Sequence, residues 1–272
     1  MSSFQTILDL SPIPHLKYIR GYGFVPASPS SVSTALLCGN QYRHKYGIGV
    51  EKLPFVQGDA AKYGEWVHKE VEDYFLEDKP IDKDVFIECP SVMKRVRFYE
   101  GLIYKSVAYS PEIKLAANAD GISAWHERSI GAIADLNIDV SPEHRWIIDW
   151  KTNHPTNAAG KYRSPSPKPF QLEMLALMSF IESEELQRVT GVFEFLKYEK
   201  YYTYEFYRDR WTYDVINPQG KVTEKDFLYP LYTQRYWSLQ EQKRFSPRHN
   251  PLCLAYCDVE SCENYQVKWS RN

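Results

Sequence analysis

The chain reads as an α/β (α+β) protein in which helices flank a central mixed sheet. Helical stretches with apolar residues on one side occupy the first hundred residues. A block of short apolar, strand-like runs follows, and then comes a strongly apolar helical stretch with a second strand pair after it. At 272 residues, with 43% hydrophobic and 25% charged residues, the chain is long enough for a sizeable core and ordinary in composition for a folded protein.

Residues 1–27, rich in Pro, Ser and Gly, read as an extended arm, and residues 28–272 as a single domain with a C-terminal helix and a cysteine-bearing tail. Residues 30–46 are expected to form a helix from a serine cap, with Val32, Leu36 and Tyr42 inward. Residues 55–76 carry Trp66, Val67, Val71, Tyr74 and Phe75 as the next helix, and residues 92–107 turn Val96, Leu102 and Ile103 inward in a third. Strand character begins over residues 112–125. Two apolar runs, 130–140 and 145–152, are separated by the short polar SPEH and predict an antiparallel hairpin. Residues 153–169 read as a loop, 170–181 as an apolar helix, 189–198 and 201–207 as a strand pair turning near Glu199 and Lys200, and 221–243 as a last long helix.

Net charge is −2, which argues against a protein that coats nucleic acid with its whole surface and leaves room for a local basic groove. The aromatic share of 15%, with 21 Tyr, could serve base stacking or half-buried core edges. The first residues lack a basic stretch followed by a long apolar run, and no segment approaches the length of a membrane span. The expected location is therefore cytoplasmic (bacterial, or a phage-infected host), with the cysteines reduced or metal-bound.

The chemistry concentrates in the hairpin, GAIADLNIDVSPEHRWIIDWK. Asp135 lies on its first strand, with Asp149 and Lys151 on its second. Neighbouring strands run about 5 Å apart, so two carboxylates can share one divalent cation. Residues two apart on a strand face one side, which brings Lys151 to the same place. Such a site suits metal-assisted phosphodiester hydrolysis, with a lysine to orient a water or stabilise developing charge. The bland reading is a strand end carrying a surface ion pair.

On these residues the sequence resembles the RecB-like branch of the PD-(D/E)xK nuclease superfamily. The resemblance runs in order through SPSSVSTALLCGNQYRHKYG, YGEWVHKEVE, PEIKLAA, GAIADLNID, WIIDWKT and FQLEMLALM, about residues 28–178. It implies a restriction-endonuclease-like core and a DNA-cleaving enzyme using Mg²⁺ or Mn²⁺. By motif position His68 becomes a metal ligand beside Asp135 and Asp149, Lys151 the catalytic lysine, Gln171 a residue positioning substrate or Lys151, and Glu72 a support. Gly64, His68 and Glu72, four apart, share one helix face. Outside the resemblance, His68 could be a satisfied core or surface histidine and Gln171 a capping amide after Pro169. The chain departs from the pattern at Ala134, where the superfamily name has proline, at Leu175, where a tyrosine is usual, and at Gly39, which often is proline.

Cys38 with Cys253, Cys257 and Cys262 is similar to the one-early, three-late cysteine pattern by which some RecB-like nucleases hold a [4Fe–4S] cluster. Zinc or unliganded thiols are the alternatives, and Cys89 stands apart. Three basic runs are candidate DNA contacts or solvated faces: Arg43–His44–Lys45, Lys94–Arg95–Arg97, and Lys161, Arg163 and Lys168 in the loop after the hairpin. The leading expectation is an exonuclease or end-processing deoxyribonuclease of phage replication or recombination. The alternatives are a CRISPR-adaptation-type nuclease working in a complex and a catalytically silent DNA-binding or assembly subunit.

Overall fold

The structure, a computed structural model, describes residues 25–54, 58–118, 121–128, 130–155, 169–209, 212–217, 219–227, 245–248, 250, 253 and 257–266. The chain forms two compact units. The larger comprises Gln57–Leu115 and Ala132–Leu228, and the smaller Met1–Val56, Ala116–Gly131 and Tyr229–Asn272. Most of the expected N-terminal arm and of the basic loop lie outside the described residues.

In the smaller unit the expected first helix is two helices, α1 (Pro29–Leu37) and α2 (Gly39–Tyr46). Ser28 caps α1 in a reciprocal capping box with Ser31, and Pro29 supplies a preset first helical residue. The continuous helix fails at Cys38, whose backbone is extended at φ −156, ψ 111. A side chain on Gly39 would meet the backbone of Phe245 at 3.0 Å, so proline, which carries a β-carbon, is excluded there without movement of the tail.

The larger unit begins with α3 (Asp59–Glu77), which buries Val67, Val71 and Phe75. The short helix α4 (Lys83–Glu88), capped by Asp82, was not expected from the sequence. The third expected helix, α5 (Val92–Ile103), stops sooner than its apolar periodicity suggested. Strands β1 (Ala108–Asn118), β3 (Ile130–Ser141), β4 (His144–Lys151), β5 (Arg188–Phe195), β6 (Lys200–Tyr207), β7 (Thr212–Ile216) and β8 (Val222–Phe227) lie side by side in the order β1-β3-β4-β5-β6-β7-β8. In the smaller unit β2 (Gly121–Ile122) folds back on the end of β1, pairing Asn118 with Gly121. The expected strand over 112–125 therefore turns back before residue 121, and a 3-10 turn, Trp125–Glu127, follows.

The hairpin forms as expected. β3 and β4 pair antiparallel from Ser141↔His144 to Leu136↔Ile148, while β4 and β5 are parallel, which makes the sheet mixed. The long crossover between β4 and β5 contains α6 (Phe170–Glu182), which is apolar on most sides and buries Leu172 through Phe180. Leu136, Ile138, Ile148 and Trp150 pack on one face against Val67, Val71, Val96 and Tyr99 of α3 and α5. Asp135, Asp149 and Lys151 alternate to the other face, where α6 approaches.

The expected long C-terminal helix is overturned where it is described. Residues 222–227 are a strand paired antiparallel with β7, after a turn in which the Asn217 side chain accepts from the backbone N–H groups of Gln219 and Lys221. Helix-forming Lys and Glu in VTEKDF are outweighed by pairing with β7 (Asp214↔Lys225), a non-local contact that propensity does not report. Residues 228–244 lie outside the described residues.

Candidate active site

All five residues that the sequence singles out for the site are in the larger unit, and the fold brings them together. β3 supplies Asp135, β4 supplies Asp149 and Lys151, α3 supplies His68, and α6 supplies Gln171 in its first turn. The registered ladder of β3 and β4 ends at Leu136↔Ile148. One position further on, Asp135 Oδ2 accepts the Trp150 backbone N–H at 2.7 Å, so a side chain does the work of the missing backbone partner. The other Asp135 oxygen meets His68 Nδ1 at 3.2 Å. Burial works against the charged imidazole, but the hydrogen bond and charge of Asp135, with the charge of Asp149, prevail and raise the His68 pKa.

Asp149 is 2% exposed. Burial pushes its pKa up to about 6, Lys151 pulls against that, and the Asp135 charge adds to the rise. Lys151 pairs with Asp149 Oδ2. Gln171 joins the two: its Nε2 donates to Asp149 Oδ1 and its Oε1 accepts from Lys151 Nζ at 3.0 Å. A single amide can hold an acid and a cation at once because it carries both a donor and an acceptor. The capping reading of Gln171 finds no support, since α6 has no side-chain cap at Pro169.

Helix α3 comes close to the end of β4 at Gly64, one turn before His68. A β-carbon there would sit 3.1 Å from Thr152 Oγ1, so glycine permits the approach that sets His68 over Asp135. Glu72, one turn beyond His68, pairs with Lys69 and lies against Glu112; its pKa is raised by burial first and by Glu112 next. Phe193, which the sequence reading did not single out, faces Lys151 with its ring centroid 5.3 Å from Nζ. It is found only through the parallel register Asp149↔Phe193, set by a crossover that spans α6.

Two carboxylates and an imidazole nitrogen suit a hard divalent ion in donor chemistry, and the Lys151 ammonium stands beside them, paired with the buried Asp149 carboxylate. As the side chains stand, no three His, Cys, Asp or Glu among the described residues converge closely enough to hold an ion. Asp135 and Asp149 are instead held by the Trp150 amide, His68, Lys151 and Gln171.

Residues 26–262 match the family model of the PD-(D/E)XK nuclease superfamily. The chain belongs to this superfamily. No curated protein matches it. Membership implies a nuclease, a hydrolase of phosphodiester bonds in DNA, from a superfamily that generally uses divalent metals.

Elsewhere in this PD-(D/E)XK chain, Cys38, Cys253, Cys257 and Cys262 line one pocket of the smaller unit with Asn40, Gln41, Arg248 and Asn250. The Arg248 and Asn250 backbone N–H groups donate to the sulfurs of Cys38 and Cys253, each at 3.4 Å. Burial, then the neighbouring Cys253, Cys262 and Cys38, raises the Cys257 pKa. Cys89 lies in the larger unit, buried against the Tyr63 hydroxyl at 3.3 Å. Of the basic runs, Arg43, His44 and Lys45 close α2. Lys94 and Arg97 are exposed, whereas Arg95 is folded in against Glu194 and Tyr99 and serves the interior. Lys161, Arg163 and Lys168 lie outside the described residues. Among the described residues no helix is long and apolar enough to cross a membrane.

Proposed function

We propose that the chain is a metal-dependent deoxyribonuclease of the RecB-like branch, an exonuclease or end-processing enzyme of phage replication or recombination that works in the cytoplasm. Residues 28–272 act together as one nuclease domain. The observation that carries the reading is the convergence of Asp135, Asp149, Lys151, His68 and Gln171 from four elements around the C-terminal end of β4. An ordinary surface ion pair would not bury Asp149 to 2% exposure.

In this reading Asp135, Asp149 and His68 hold Mg²⁺ or Mn²⁺. Held there, such an ion would supply neutralisation of phosphate charge and activation of a water. Lys151 holds an N–H⁺ donor beside Asp149, suited to stabilise charge developing on the phosphate. Gln171 keeps that ammonium from swinging away, and Glu72 supports α3 beside His68. Lys161, Arg163 and Lys168 are proposed as contacts to the DNA backbone. Cys38, Cys253, Cys257 and Cys262 line one pocket without converging closely enough to hold an ion as they stand, and in this reading they would draw together on an iron–sulfur cluster, with zinc or unliganded thiols as the alternatives.

Purified protein is expected to degrade DNA with Mg²⁺ or Mn²⁺ and to stop in EDTA. Asp149→Asn is expected to lower the rate by at least about a hundredfold. Undiminished cleavage by that variant would overturn the site. End-labelled linear and circular DNA then separates exonuclease from endonuclease action. The alternatives make different predictions: tight DNA binding without cleavage in Mn²⁺ marks a silent assembly subunit, and cleavage that requires an integrase partner marks a CRISPR-adaptation role.

A further inference from the structure

We propose that Tyr63, Trp66, His154, Tyr198 and Lys197 form a ledge beside the active site that stacks an unpaired nucleotide flanking the scissile phosphate, so that the enzyme prefers single-stranded DNA or frayed ends. The proposal rests on the nuclease reading and names the substrate form that the same site accepts. The ledge is assembled from three pieces of the larger unit. Tyr63 and Trp66 lie on α3, five and two residues before His68, with ring centroids 5.9 Å apart. His154 stands three residues beyond Lys151 and meets Tyr198 edge to face, with centroids 4.7 Å apart. Lys197, adjacent to Tyr198 in the 3-10 turn Leu196–Tyr198, places its ammonium 5.3 Å from the Tyr63 ring centroid and so joins the two aromatic pairs.

Continuity with the catalytic residues gives the ledge its occupant. The close approach at Gly64 and Thr152 puts the first turns of α3 against the chain just past Lys151. A strand whose phosphate lies on Asp149 and Lys151 therefore carries its next nucleotide toward these rings. The four aromatic side chains are half-buried, anchored from below with part of each surface in solvent, and Lys197 is exposed. Lys197 also bonds Glu88 at 2.8 Å, so the ledge has little net positive charge of its own. Ring stacking supplies affinity at this place that the Glu88-paired ammonium does not. Stacking on a side chain needs an open base face, and bases within a duplex keep their faces against neighbouring base pairs. That is the physical basis of the preference for unpaired ends.

The test compares kcat and KM in Mn²⁺ on a single-stranded oligonucleotide and on its blunt duplex, for the wild type, Tyr198→Leu and Tyr198→Phe. The wild type is expected to favour the single strand. Tyr198→Leu is expected to raise KM on it about tenfold with kcat within about twofold, and Tyr198→Phe, which keeps the ring, to restore the wild-type KM. Unchanged KM in Tyr198→Leu, or equal loss in Leu and Phe, overturns the ledge. A second measurement is independent of turnover: 2-aminopurine in a single-stranded oligonucleotide is expected to be quenched on binding the Asp149→Asn protein and to be released from quenching when Tyr198→Leu is added. Equal quenching with and without the Tyr198 ring overturns the proposal. If the wild type cleaves no DNA in either metal, the hydrolase reading fails, and the 2-aminopurine result still decides the ledge.

Discussion

Lys151 is held from three sides, by the Asp149 carboxylate, the Gln171 amide oxygen and the face of Phe193. The first two contacts tie down its charge and the third covers one side of the ammonium. An ammonium over a ring gains electrostatic attraction and loses little when it swings toward a phosphate, so Phe193 sets the position of the lysine without competing for it. Replacing Phe193 by Leu is expected to lower kcat about 2- to 20-fold with KM nearly unchanged, and Phe193→Tyr to retain activity. The same loss in both variants, with a lowered melting temperature, would reduce Phe193 to a packing residue. Asp149 shows the counterpart at a single acid: burial raises its pKa to about 6, and the Lys151 ammonium pulls against that rise.

Among the elements, β4 carries most of the consequence, because its two ends do different work. Its C-terminal end bears Asp149 and Lys151. Its first residue, His144, contacts Thr190 Oγ1 at 2.7 Å through Nε2 and Arg188 at 2.8 Å through Nδ1, both on β5. Burial first and the Arg188 charge second push the His144 pKa down to about 4. The unfolded chain takes up this proton at its ordinary value of 6.5, so the stability His144 contributes is present above pH 6.5 and is lost as pH falls through about 4. Thermal melts between those limits are expected to drop with acidification in the wild type and to flatten in His144→Gln. An identical slope in the variant would remove His144 from the account. The hairpin of β3 and β4 could be read from its alternation and four-residue polar link, since all of its information is local. Helix α4 could not, because six residues are too few for a periodic signal, and β8 was misread as helix because its pairing with β7 is invisible to propensity.

At the scale of the molecule, the family match from 26 to 262 includes residues of both units. Within the smaller unit Arg248 hydrogen-bonds Cys38 across 210 residues of sequence, and the cysteine pocket gathers both chain ends. If it holds an iron–sulfur cluster, protein purified without oxygen is expected to absorb broadly near ~400 nm. Cys257→Ser is then expected to lose that band and to melt lower, while Cys89→Ser keeps the band. Absence of both band and iron, with a stoichiometric zinc, would assign the pocket to zinc instead.

The sequence by itself determined the class of fold and the hairpin, and it singled out the acids, lysine, histidine and glutamine that the fold brings together, because those signals are short-range patterns of alternation, helical spacing and ordered motifs. Only the tertiary structure decided that Asp135 receives the Trp150 amide, that Gln171 bridges Asp149 and Lys151, that Phe193 lies against Lys151, and that His154 meets Tyr198. Each of these depends on the parallel register of β4 and β5 or on the packing of α3 and α6 against the sheet. Those contacts join residues far apart in the chain, and their energies come from burial that no local stretch of sequence contains.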